Sequence, residues 1–162
     1  MNIKKPNRAK RSYVQHIDAP PETVFPLLCP VLEARWAPRW MPELVLSRSG
    51  VCEQDCAFIT PPEPPSERHS SIWIVSRHDP ANWTLQMYKV TPEHTISKLD
   101  ISLEGESGAT TSAEISYEIT AIGAAGQEFM KEFTDDSFTE FMAQWEMALN
   151  YYLKTGKMIA EG

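Results

Sequence analysis

Four things are scarce in this chain, and each scarcity closes a class. Cysteines number three, Cys29, Cys52 and Cys56. An odd, sparse set gives no disulfide framework and reads as reduced thiols in a cytoplasmic protein. Cys52 and Cys56 stand four apart, but no second Cys/His pair answers them, and His16, His69, His78 and His94 are scattered. A zinc site therefore lacks ligands, and no metal is expected. Long apolar runs are missing: nothing approaches the roughly 18–20 residues of a membrane span, so no stable membrane insertion is expected. Positive charge is in deficit, with a net charge of −7 that argues against an electrostatic nucleic-acid binder. Recognisable catalytic signatures are also missing: no Ser-His-Asp order, no HExxH, no paired-carboxylate motif and no Gly-rich phosphate loop. No catalytic residue is assigned on this basis, and no cofactor is expected.

The charge that is present is unevenly placed. Lys4, Lys5, Arg8, Lys10 and Arg11 give the first eleven residues +5, leaving −12 for the rest. A signal peptide would need an apolar core after those cations, and Ser12-Tyr13-Val14-Gln15-His16 is too polar to be one. Residues 1–10 read as a loosely ordered basic tail, and 11–162 as one domain.

Residues 11–18 read as a first strand, with Tyr13, Gln15 and Ile17 on one side and His16 on the exposed one. Proline at a first helical position suits the short helix of 22–28, and 31–36 forms another. Trp36–Pro42 is a proline-bounded aromatic loop. Strands follow over 43–49, 55–60, 69–78, 83–90, 95–103 and 110–120, with Gly105–Gly108 as the last turn. Leu99, Ile101 and Leu103 alternate with Lys98, Asp100 and Glu104; Ala113, Ile115, Tyr117 and Ile119 alternate with Glu114, Ser116 and Glu118. Such alternation describes an antiparallel sheet covered on one face and wetted on the other, with Asp100 and Glu104 solvated. His78, ahead of Asp79-Pro80, reads as a turn residue rather than a base. Pro61-Pro62-Glu63-Pro64-Pro65 cannot sit inside a sheet and is a stiff exposed connection.

The last segment, Gln127–Lys154, reads as a long amphipathic helix. Met130, Thr134, Phe138, Phe141, Trp145, Ala148, Leu149 and Tyr152 recur at three- and four-residue steps and share a face, flanked by Phe133, Met142 and Tyr151. Ser137-Phe138-Thr139-Glu140 matches the S-x-x-E capping box, and Thr134–Ser137 are weak helix formers, so a bend or break is predicted near 134–137. Without a βαβ rhythm or internal repeat, the class is α+β: a curved antiparallel sheet wrapped around a long C-terminal helix, with two short helices after strand 1.

Several stretches resemble the START-like, or SRPBCC, superfamily, which includes birch-pollen-allergen-like and polyketide cyclase/dehydrase-like proteins. Ile17-Asp18-Ala19-Pro20-Pro21-Glu22-Thr23-Val24-Phe25 is similar to its strand-to-helix junction, and Trp36-Ala37-Pro38-Arg39-Trp40 to its loop before the second strand. Residues 145–153 resemble the end of its long helix, and Arg77-His78-Asp79-Pro80 a turn of polyketide-cyclase-like members. The resemblance covers roughly residues 12–156 and implies a helix-grip fold with a cavity between sheet and helix. It implies binding of a small hydrophobic molecule, lipid-, polyketide- or quinone-like, by a monomer or homodimer. A cyclase or dehydratase acting in the same cavity is the alternative, and a chaperone-assisting protein the third. The expected cavity lining is Tyr13, Trp73, Tyr88, Leu99, Ile101, Ile115 and Tyr117 from the sheet. The helix adds Phe138, Phe141, Met142, Trp145 and Leu149. Trp36, Trp40, Pro62 and Pro64 are expected at the mouth. These helix residues could equally fill a solid core, and the Tyr13 and Tyr117 hydroxyls could hold a ligand oxygen or the backbone.

Overall fold

The computed structural model describes residues 1–107 and 109–160; Gly108, in the last expected turn, and residues 161–162 lie outside them. The sheet has seven strands: β1 (Arg8–Ile17), β2 (Leu44–Leu46), β3 (Ala57–Thr60), β4 (Ser71–Asp79), β5 (Thr84–Thr91), β6 (Thr95–Glu106) and β7 (Thr110–Ala121). Their order is β1-β7-β6-β5-β4-β3-β2, antiparallel throughout. After β1 come α1 (Pro21–Val24), a 3-10 turn (Phe25–Leu28) and α2 (Pro30–Glu33), and after β7 come α3 (Ala124–Glu132) and α4 (Asp135–Thr155). α1 and α2 both start on proline, whose missing N–H costs nothing at a position with no helical partner. β1 begins at Arg8, inside the expected tail, and pairs with β7 from its first residue.

The long helix is broken, as its weak formers suggest, but the cap lies one turn earlier than Ser137-x-x-Glu140. Thr134 is the N-cap of α4: its side chain accepts from the Ser137 N–H at 3.1 Å, and the Ser137 hydroxyl accepts from the Thr134 N–H at 3.0 Å. Serine has taken the N3 role that the usual box gives to Glu or Gln.

Strand parity holds in β6 and β7, where Leu99, Ile101, Leu103, Ala113 and Ile115 are buried. In β4 it does not run through. The register with β5 shifts between Val75 and Arg77, so Ser76 is an extra residue. That bulge turns His78 inward, opposite Leu85, where its ring meets Phe25 at 5.3 Å. His78 is therefore a strand residue packed on the 3-10 turn, and burial lowers its pKa.

Two indoles fasten the aromatic loop. Trp36 Nε1–H donates to Leu27 O at 2.9 Å and Trp40 Nε1–H to Pro30 O at 2.7 Å. Cys29, Cys52 and Cys56 are all free and buried, and the Cys52 N–H donates to Cys29 Sγ at 3.0 Å.

Candidate functional site

α4 is tied along one edge of the sheet. The buried Gln15 Nε2–H donates to Met142 O at 2.9 Å. Asn150 accepts from the Asp18 N–H and donates to His16 O, both at 2.9 Å. Arg11 donates to Phe133 O at 2.8 Å, pairs with Asp135 and lies over the Phe133 ring. The helix thus follows β1, and α2 and the aromatic loop occupy the space toward the β2 edge. Trp36 meets Trp145 at 5.1 Å, Trp40 meets Phe58 and Trp73 at 5.9 and 5.8 Å, and Phe58 stacks on Trp73 at 5.3 Å.

Tying the helix to β1 decides which predicted residues meet. Tyr13, Ile115 and Ile101 form one cross-strand row on the inner face, and Tyr117 and Leu99 pair beside it. Phe138, Met142 and Leu149 are buried beneath the helix, as are Leu99, Ile101, Ile115 and Trp73 within the sheet. These seven are filled core. Tyr13, Tyr117 and Trp145 are on the inner side but only partly buried. Phe141 is 49% exposed, although its ring stands 6.3 Å from Tyr117 of the sheet's inner face. Phe138 meets the same Tyr117 ring at 5.7 Å. Two expected positions need correction. Tyr88 shares a face with Ile74 and Lys98, the outer one, and is 38% exposed there, so it lines no interior. Trp36 is 0% exposed and sealed against Trp145, so it forms no mouth. Trp40 and Pro62 are half-buried and Pro64 is exposed.

The sequence reading missed a buried, strongly perturbed carboxyl. Glu33, the last residue of α2, is 9% exposed inside this aromatic layer. Trp145 Nε1–H donates to its Oε1 at 3.1 Å. Burial pushes the Glu33 carboxyl up to about 8, and the Trp145 hydrogen bond offsets only part of that. Near neutral pH it is largely a neutral acid, able to donate as well as accept. Burial also pushes the Tyr117 phenol up, with the Glu33 and Glu63 charges adding to it. Glu63 belongs to the Pro61–Pro65 loop, so that loop lies within electrostatic reach of Tyr117. A signal for Glu33 was present: it stands three and four residues before Trp36 and Ala37, and on a helical turn shares their inward face.

A second buried polar group closes the lower interior. Lys89 Nζ donates to Glu67 Oε1 at 2.6 Å, with Lys89 5.5 Å from the Trp73 ring centroid. Ser71 donates to Glu67 at 3.3 Å, and Trp73 Nε1–H donates to Thr60 Oγ1 at 3.0 Å. Beside the 3-10 turn and α2, a separate cavity of about 170 Å³ is lined by Phe25, Cys29, Leu32, Cys52, His78 and Leu85 among others. No group of three His, Cys, Asp or Glu among the described residues could hold a metal ion. No described helix is long and apolar enough to cross a membrane.

No family model and no curated protein sequence matches the chain. Solved structures do. Norcoclaurine synthase from Thalictrum flavum matches at a TM-score of 0.67 and 10% identity, over 96% of this chain and 98% of that one. Ara h 8.0201 matches at 0.60 and 12%, over 92% and 99%. The protein DynU16 from the dynemicin biosynthetic locus matches at 0.57 and 14%, over 91% of this chain and 48% of that one. The chain shares the helix-grip fold of these structures. At these identities the likeness concerns architecture alone. Glu33, Trp145 and Tyr117 are read from this chain's own geometry.

Proposed function

We propose that the protein binds a small, largely hydrophobic molecule between the sheet and α4, with the Glu33 carboxyl as its polar anchor. The observation that carries this reading is the Phe141–Tyr117 pair. The two rings meet edge to face at 6.3 Å, with Phe141 49% exposed and Tyr117 only partly buried, so aromatic surface stays accessible beside an otherwise buried core, and that surface is where a ligand would seat. The seat is walled by rings and by Trp145, which suits a flat or alicyclic ligand. A neutral carboxyl at its inner end suits a ligand carrying a carbonyl or hydroxyl oxygen. Trp40 and the Pro61–Pro65 loop frame its mouth. The fold supports the reading as well: one structure of norcoclaurine synthase holds dopamine and hydroxybenzaldehyde.

Native mass spectrometry of freshly purified protein tests it. A co-purifying hydrophobe is expected, or saturable displacement of a solvatochromic dye that Phe141→Ala weakens. Protein that stays empty and binds no dye would refute the proposal.

Glu33 also gives the cyclase or dehydratase alternative an acid of suitable pKa. That reading predicts a Glu33→Gln variant that still binds substrate and no longer turns it over.

A further inference from the structure

We propose that the groove at the N-terminus of α3 binds a small oxyanion, the phosphate or carboxylate end of a ligand, separately from the interior. The groove has a volume of about 570 Å³ and is walled by three turns. Arg68 and His69 come from the β3–β4 connection, Pro92–His94 from the β5–β6 turn, and Ile122–Ala125 from the junction into α3. Two independent features border it.

The first is the helix start. α3 runs nine residues from Gly123 as N-cap, and no side chain caps it. Its first helical hydrogen bond runs from the Gln127 N–H to Gly123 O, at 3.0 Å. The amides of Ala124 and Ala125, both on the groove wall, therefore precede the helical ladder at the positive end of the helix dipole. The sequence keeps this start bare for a steric reason. A Cβ on Gly123 would come within 1.8 Å of Glu93 O, and one on Gly126 within 1.9 Å of His94 O. No Ser, Thr or Asp fits at the cap without moving the β5–β6 turn.

The second feature is His94, which lines the groove while only 3% exposed. Its Nε2 is the buried side-chain nitrogen or oxygen among the described residues that has no hydrogen-bond partner. Nδ1 lies 3.1 Å from Thr95 Oγ1. When the Thr95 hydroxyl donates to Nδ1, the ring proton resides on Nε2 and needs an acceptor. Burial holds the ring's pKa down, which favours the neutral ring, and the proposed site takes the tautomer in which Thr95 donates to Nδ1. A buried donor without an acceptor is costly, and an anionic oxygen supplies one. Arg68, exposed on the rim, adds positive charge.

Two carboxylates share the groove, and both are engaged. Glu128 accepts from Lys131 at 2.6 Å, and Glu93 faces His69 at 3.5 Å. They select for a compact anion seated against the amides rather than a large acidic surface.

Backbone-amide NMR titration of the full chain with inorganic phosphate, and in a parallel arm with acetate, tests the proposal against chloride at equal ionic strength. Saturable shifts at Ala124 and Ala125 are expected, weakened about tenfold in Arg68→Gln by loss of one charge-assisted contact. His94→Phe keeps a ring beside Phe129 and is expected to abolish saturation. Should that variant fail to fold, Arg68→Gln on the exposed rim carries the test. Saturation by phosphate only, or by acetate only, assigns the ligand's acidic group and supports the site. Shifts that grow linearly, match those of chloride, or persist unchanged in Arg68→Gln overturn it.

Discussion

Replacing Glu33 by Gln converts the buried carboxyl from an inference into a measurement. The amide keeps the side chain's shape and an oxygen for Trp145 Nε1–H, and removes only the titration. In the wild type the carboxyl moves from an ordinary 4.5 to about 8 on folding. Between those values the folded state holds a proton that the unfolded state has lost, so stability falls as pH rises through that window. At about 1.4 kcal/mol per pH unit, the full window is on the order of 5 kcal/mol. Water reaching the carboxylate would reduce this to ~2–3 kcal/mol. Either figure is a large part of a domain stability of roughly 5–15 kcal/mol. Urea melts of both proteins across the pH range provide the assay, because every other titrating group cancels in the difference. The two should match within ~1 kcal/mol near about pH 5, and Glu33→Gln should be the more stable by several kcal/mol near about pH 9. A flat difference would mean that the carboxyl is solvated. A wild type that gains on the variant as pH rises would mean that the ionised form has a partner, and the neutral-acid reading would fail.

How much of this was legible in the sequence depended on whether one face of each element was polar. β6 and β7 alternate apolar with Lys, Asp, Glu and Ser, and their inward residues could be read directly. β4 could not be read this way. Ile72 and Ile74 are 46% exposed on the outer face while Trp73 and Val75 are buried, so apolar residues occupy both faces and parity carries no signal. The same outer apolar surface misplaces Tyr88, which pairs with Ile74 there. The bulge at Ser76 then inverts the parity for His78, and a two-residue period has no means of announcing an inserted residue.

For the C-terminal segment, composition located the break, because Thr134, Asp135, Asp136 and Ser137 compete with the backbone for hydrogen bonds. Periodicity found the apolar stripe but could not say which part of it the sheet covers. The hydrogen bonds from Gln15, Asn150 and Arg11 draw α4 to β1, so Phe138, Met142 and Leu149 form the seam and Phe141 is turned aside. Glu33 was harder still. Its burial depends on Trp145, 112 residues later in the chain, and local pattern ranks a glutamate as solvent-facing.

Thr134→Ala removes the α4 cap and should cost about 1 kcal/mol in a denaturant melt, with Asp136→Ala, outside the cap, as the near-neutral control. Lys89→Met strands the Glu67 carboxylate, 6% exposed at its side chain, and should cost ~3–5 kcal/mol; adding Glu67→Gln should recover much of that. Burial holds the Cys52 and Cys56 thiols above their ordinary pKa, so near about pH 8 they should react with a thiol reagent only at the rate of unfolding. Trp145→Phe is the most discriminating change, because it keeps most of the ring contact with Trp36 and deletes the one hydrogen bond that offsets the Glu33 burial. The carboxyl should then sit above about 8, and the alkaline loss of stability should extend to higher pH. In a Glu33→Gln background the same substitution should cost a constant amount at every pH. If the cost of Trp145→Phe follows the same pH profile in the wild type and in the Glu33→Gln background, the indole and the carboxyl are not coupled, and Trp145 acts at this site through its packing alone.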